Sequence, residues 1–184
     1  DCQVPKCPAC MYGKLTKKPW RSNLKNKVQP VPTIDKPGDC VSVDQLQSRT
    51  PGFIAQLKGR LTKQRYKYAT IFVDHHSRFG YVHLMKEITS EETVAAKNAF
   101  EAYCKAHNVQ VRHYHADNGR FADNLFIQAV RNSGQTISYC GVNAHHQNGI
   151  AEKRIRDLQE LARTELLHAK IRWKEAITAN LWPH

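Results

Sequence analysis

No apolar run in this 184-residue chain approaches the roughly 20 residues of a membrane-spanning helix, and no secretory signal pattern opens it. The expectation is a soluble, intracellular protein without a membrane partner. Acid is scarce, 16 Asp and Glu against 28 Lys and Arg, and one stretch has none. Residues 48–67 carry six cations (Arg49, Lys58, Arg60, Lys63, Arg65, Lys67) and no carboxylate, and residues 1–39 carry eight cations against three acids. The stretch 68–151 balances seven against seven, so positive charge gathers in an N-terminal arm and one loop. That is the distribution of a surface that follows phosphates. Glycine forms neither a G-x-G-x-x-G turn nor a P-loop, which argues against dinucleotide and P-loop nucleotide chemistry.

Without a secretory signal, the six cysteines read as thiols rather than three disulfides, with Cys40, Cys104 and Cys140 packed as small hydrophobes. Cys7-x-x-Cys10 is the exception: two thiolates at that spacing supply half of a tetrahedral zinc site. The other half does not follow downstream at a suitable spacing. Ten histidines suggest a second site, but His113 and His115 on one strand face and His145-His146 in a loop lack zinc-ligand spacing. They read as packing or surface residues.

Residues 11–39 form a basic connector broken by Pro19, Pro30, Pro32 and Pro37. The predicted core has a strand at Cys40–Leu46, a long excursion over Gln47–Gln64, and a hairpin of Tyr66–Asp74 and Tyr81–Lys86. Thr89 and Glu92 have capping-box spacing ahead of a helix over 90–106. Val109–Ala116 alternates as a fourth strand. A helix around Leu125–Val130 ends at Gly134, and Thr136–Cys140 is a short fifth strand. After a polar loop, a helix over Ile150–Ala169 buries Ile155, Leu158, Ala162 and Leu166. Trp173, Ala176, Ile177, Asn180 and Leu181 predict one more helix. The order predicts a mixed α/β sheet, antiparallel first and then parallel, flanked by helices.

Three carboxylates stand out in that frame. Asp44 lies mid-strand in Cys40-Val41-Ser42-Val43-Asp44, Asp117 ends the fourth strand, and Glu152 opens a helix after 34 intervening residues. Hard oxygen ligands of this kind suit two divalent cations in phosphoryl transfer. Each has a plainer reading: a strand Asp facing water, an Asx turn at Asp117-Asn118-Gly119, and a first-turn Glu favoured by the helix dipole. Glu152, Arg156, Gln159 and Arg163 recur at i, i+4, i+7 and i+11, so they share one helix edge beside the buried stripe; ion pairing such as Arg156–Glu160 is the alternative use of that edge.

The words around these acids resemble a known family. Val43-Asp44, His115-Ala116-Asp117-Asn118-Gly119 and Gln147-Asn148-Gly149-Ile150-Ala151-Glu152-Lys153-Arg154 look like the three catalytic blocks of retroviral-type integrases, the last nearest to copia-type long-terminal-repeat retrotransposons. Phe72-Val73-Asp74-His75-His76-Ser77-Arg78-Phe79 resembles the family's second-strand word, in which Asp74 is not catalytic. Cys7-Pro8-Ala9-Cys10 followed by Gly13-Lys14 resembles the end of its zinc-binding domain, whose two His ligands lie upstream. Two departures are visible. Arg120-Phe121 stands where the copia-type block has one residue and a Glu before Phe, and His145 stands where a Pro is common.

The resemblance implies an RNase H-like five-stranded fold and a polynucleotidyl transferase. Asp44, Asp117 and Glu152 would hold two Mg²⁺ or Mn²⁺ ions for trimming element 3′ ends and joining them to target DNA. Lys58, Arg60, Lys63, Arg65, Arg156, Gln159 and Arg163 are the expected DNA contacts. Residues 1–18 would be the remnant of a domain that binds Zn²⁺ when intact, with Cys7 and Cys10 as its half-site here. Residues 19–37 would be a basic linker and 38–184 the catalytic core, cut from a polyprotein that oligomerises and works in virus-like particles and the nucleus. The rival readings are a cut-and-paste DDE transposase and a domesticated, catalytically silent DNA-binding domain.

Overall fold

The computed structural model describes residues 7–9, 33–54, 62–117, 119–140, 148–175 and 177–184. Within them run β1 (Val41–Gly52), β2 (Tyr66–Asp74), β3 (Gly80–Met85), α1 (Ser90–Ala106), β4 (His113–Ala116), α2 (Asn124–Asn132), β5 (Thr136–Tyr139) and α3 (Gly149–Arg172). The sheet order is β3-β2-β1-β4-β5. The first three strands are antiparallel, and β1, β4 and β5 are parallel.

Strand alternation gives this sheet two different faces. Val41 and Val43 of β1, Phe72 of β2, and Tyr114 and Ala116 of β4 enter one core with Ala96 and Phe100 of α1 and Phe126 and Val130 of α2. Phe72 stacks on Phe100 with ring centroids 4.6 Å apart. On the other face, Ala69, Ile71 and Val73 pack with Leu46, Leu84 and the α3 residues Ile150, Ile155 and Leu158. Of the predicted apolar stripe of α3, Ile155 and Leu158 pack in this cluster, whereas Ala162 and Leu166 are half-buried outside it.

Local signals account for several boundaries. Thr89 caps α1 by accepting a hydrogen bond from the Glu92 amide at 3.2 Å, as its spacing predicts. Gly134, with φ of +68°, takes the left-handed turn after α2 that side chains other than glycine's resist. Asp74 ends β2 and accepts hydrogen bonds from the Gly38 amide (2.8 Å), the Ser77 amide (2.7 Å) and the Ser77 hydroxyl (2.6 Å). Its carboxylate therefore organises the β2–β3 turn.

Three expectations need correction. Strand β1 runs beyond Leu46 through Gly52, into the stretch Gln47–Gln64 expected as an excursion. Its extension is held from the far end of the chain: the Trp182 indole donates to the Thr50 carbonyl (2.8 Å) and Asn180 to that of Pro51 (2.9 Å). Those same contacts explain the second correction. Among the described residues of 173–181, the expected helix gives way to a turn and a short 3₁₀ segment at Ala179–Leu181, whose Asn180 carbonyl accepts from the Phe53 amide (2.7 Å). Third, β4 starts at His113 rather than Val109, since Asn108 adopts φ of +58° and the Arg112 amide donates to Gly38 instead (2.8 Å).

Candidate functional site

Asp44 follows Val43 on β1 and shares the parity of Ser42, so it stands on the α3 face of the sheet. Asp117 follows Ala116 and shares the parity of His113 and His115, which places it on the same face. The two strands pair in parallel with Ser42 opposite His115 and Val43 opposite Ala116. That register ends at Val43–Ala116, and Asp44 and Asp117 each follow the last pair by one residue. Glu152 lies in the first turn of α3, the helix packed on this face.

All three acids are half-buried. Asp44 Oδ1 accepts from the Gln45 amide (2.7 Å), and Asp117 Oδ1 from the Gly119 amide (3.2 Å), the expected Asx turn. Beyond Asp117, buried Phe121 anchors the chain, and its carbonyl accepts from the Tyr139 hydroxyl at 2.9 Å. Asp117 thus sits on a turn pinned from behind. Neither Asp117 nor Glu152 makes an ion pair among the described residues.

The thiol of Cys140 lies just beyond β5. Burial first, and then the negative charges of Asp117, Glu152 and Asp44, push its pKa above the ordinary value. The thiol stays protonated and lies 3.5 Å from His115 Nε2. His115 Nδ1 and His113 Nε2 each approach the Ser138 hydroxyl at 2.8 Å, and His113 Nδ1 lies 2.7 Å from that of Thr136. His75 Nε2 lies 2.7 Å from the Ser42 hydroxyl. Burial, followed by the positive charges of His115 and Arg78, brings the His75 pKa down to about 4. Burial also lowers the His113 pKa, and His113 and His115 pack against hydroxyl neighbours, as their sequence spacing suggests.

Among the described residues, no group of three or more His, Cys, Asp or Glu is close enough to hold a single ion. Three like charges without a counter-ion repel one another, which favours an open arrangement. Asp44, Asp117 and Glu152 would be the residues to hold divalent ions, which would supply charge stabilisation in phosphoryl transfer. The donor set, carboxylates on one sheet face beside a helix start, fits hard divalent cations.

The predicted DNA contacts fall into three groups. Arg156, Gln159 and Arg163 are exposed along α3, and no ion pair occupies either arginine among the described residues. Lys63 is exposed, but Arg65 lies over the Phe53 ring (5.0 Å) and donates to the Thr62 carbonyl at 2.8 Å and the Gln64 carbonyl at 2.7 Å. Lys58, Arg60, Cys10 and His145 lie outside the described residues, as does most of the expected 1–18 remnant and 19–37 linker. Cys7 is half-buried.

Two residues at this face carry more than their sequence signal suggested. Asn148 is buried and reaches the Val43 carbonyl from the start of α3 (2.9 Å). Arg154 packs so closely on Gly80 that a Cβ there would meet its Nε at 2.5 Å. The asparagine of Asn148-Gly149 and the glycine ending Ser77-Arg78-Phe79-Gly80 were the available signals, but both read locally as turn residues.

Among solved structures, the chain is similar to the HTLV-2 integrase catalytic core domain in complex with magnesium. For the trimeric form the identity is 20% over 72% of this chain and 74% of that one, with a TM-score of 0.52. For the dimeric form it is 20% over 79% and 85%, with a TM-score of 0.53. A chain of the simian T-cell lymphotropic virus intasome, in complex with PP2A regulatory subunit B56 gamma, matches at 16% identity over 96% of this chain and 54% of that one, with a TM-score of 0.57. No protein-family model matches the sequence. The likeness establishes the fold: this mixed five-stranded sheet with flanking helices is the RNase H-like arrangement of integrase catalytic cores.

Proposed function

We propose that this chain is the catalytic core of a retrotransposon integrase of the copia type, a polynucleotidyl transferase that trims element 3′ ends and joins them to target DNA. The observation that supports the reading is the parallel β1–β4 register, which ends one residue before Asp44 and Asp117, beside the sheet face on which α3 packs with Glu152 in its first turn. Asp44, Asp117 and Glu152 hold two Mg²⁺ or Mn²⁺ ions. Bound there, such ions supply activation of the attacking oxygen and charge stabilisation of the leaving one. The chain itself supplies position: two acids fixed by sheet register, and a third fixed by the helix seated on that sheet.

Arg156, Gln159 and Arg163 face the DNA backbone from the exposed edge of α3, joined by the cations of the 48–67 segment. Integrase core structures solved with magnesium, as dimer and trimer, and an intasome chain share this fold. On that analogy the working form is a homo-oligomer on DNA, in virus-like particles and the nucleus. Residues 1–18 belong to a zinc-binding domain that precedes the linker 19–37 and the core 38–184, with Cys7 and Cys10 contributing two thiolates to Zn²⁺.

A strand-transfer assay with Mn²⁺ and oligonucleotides bearing terminal-repeat ends tests this reading. Activity is expected from the unaltered chain. Asp117→Asn and Glu152→Gln should each reduce trimming and joining to background while duplex DNA binding persists. Activity surviving in either variant removes that acid from the site, and DNA binding without activity in the unaltered chain favours the silent DNA-binding reading.

A further inference from the structure

Asn148 occupies an unusual position. Only 2% of it is exposed; Nδ2 donates to the Val43 carbonyl at 2.9 Å, and Oδ1 is buried without a hydrogen-bond partner among the described residues. The orientation of the amide is fixed chemically, because flipping it would set oxygen against the Val43 carbonyl oxygen. An asparagine immediately before a helix ordinarily caps it by accepting from a first-turn amide. Here the side chain makes no capping bond. The helix start forgoes its cap and leaves a buried acceptor unmet, an unfavourable choice for a residue serving stability alone.

What the arrangement gains is a link between two acids. Val43 immediately precedes Asp44, and Asn148 precedes Glu152 by four residues, one helical turn. A single hydrogen bond therefore joins the peptide before one acid to the turn before another, across 105 positions of sequence. We propose that Asn148 is a positioning residue that sets the spacing of Glu152 from Asp44 for divalent-cation binding. This rests on the reading that Asp44, Asp117 and Glu152 hold the cations. Acting through those acids, Asn148 governs how tightly the ions are held and not the chemistry once they are in place.

Thermal unfolding of the chain during a Mn²⁺ titration tests the proposal. The unaltered protein should gain melting temperature with Mn²⁺, and Asp117→Asn should abolish that gain. Asn148→Leu keeps the branched shape, in a larger side chain, but removes donor and acceptor. It should raise the half-saturating Mn²⁺ concentration tenfold or more, in line with losses of groups that orient metal ligands. Strand transfer by that variant should recover to within a few-fold of normal at saturating Mn²⁺. If the leucine variant does not fold, Asn148→Ala carries the same expectation. A lowered metal-free melting temperature with unchanged half-saturating Mn²⁺ would overturn the positioning role. No Mn²⁺ response in the unaltered protein would instead overturn the cation reading beneath it.

Discussion

Beneath α1, Lys97 has no exposed surface, and Glu101 holds its ammonium at 3.0 Å. The same Glu101 oxygen accepts from the Tyr114 hydroxyl at 2.6 Å and from Gln135 at 2.7 Å, while Ser133 accepts from Lys97 at 3.1 Å. That charge is neutralised inside the protein. Across the sheet, on the side of α3, the negative charges of Asp117, Glu152 and Asp44 all reach the Cys140 thiol, and neither Asp117 nor Glu152 finds a cation among the described residues. One face uses buried charge to hold α1, α2 and β4 together. The other accumulates charge of one sign, which destabilises an ion-free protein and makes sense where cations arrive from outside.

The comparison can be broken first on the side where charge is paired. Lys97→Met keeps the side-chain length but leaves Glu101 without its cation, so stability should fall by about 3 kcal/mol, the scale expected when one partner of a buried pair is removed. Asp117→Asn should leave metal-free stability unchanged or slightly raised, because it relieves like-charge repulsion. Urea unfolding of both variants checks the contrast, and equal losses would erase it.

A pH series sharpens the same contrast. His75 is held neutral with its pKa down at about 4, against an ordinary value of 6.5. Between those values the unfolded chain binds the extra proton, so the contribution of His75 to stability is complete above about pH 6.5 and is lost as pH falls toward 4. Its size is on the order of 2 to 3 kcal/mol. Replacing His75 with Asn should flatten the stability profile between pH 7 and pH 4.5. A profile of unchanged slope in that variant would mean that the histidine is not held neutral by the fold.

Smaller effects probe how α3 is seated. Gly80→Ala forces the Arg154 side chain aside and should cost about 1 kcal/mol. The loss should shrink in an Arg154→Ala background, and a double-mutant cycle without coupling would place the crowding elsewhere. Smallest in energy per residue is the surface charge. Changing Lys58, Arg60, Lys63 and Arg65 to Glu should flatten the salt dependence of duplex DNA binding. An unchanged slope in a salt titration would remove the 48–67 segment from the DNA surface.

What the sequence disclosed follows from how local each signal is. Strand β2 was legible to both ends, because Tyr66–Asp74 combines β-forming residues with a turn at Ser77-Arg78. The α1 cap was legible in Thr89 and Glu92. The full length of β1 was hidden, since the groups that hold Thr50 and Pro51 come from Asn180 and Trp182, about 130 positions away. The three candidate acids were singled out by the words around them. Their common face emerges only when β1 and β4 pair in register, and the Asn148–Val43 link depends on that face being covered by α3. Lys97 gave no warning of its burial, as a lysine within a helix ordinarily faces water.

Binding of Mn²⁺ itself tests the central claim most directly, by electron paramagnetic resonance of free Mn²⁺ titrated with protein bound to duplex DNA. The unaltered chain should take up about two ions per molecule beyond those held by the DNA alone. Asp117→Asn and Glu152→Gln should each weaken or remove that uptake while the protein remains folded and DNA-bound. Uptake that is absent from the unaltered chain, or identical in both variants, would contradict the account.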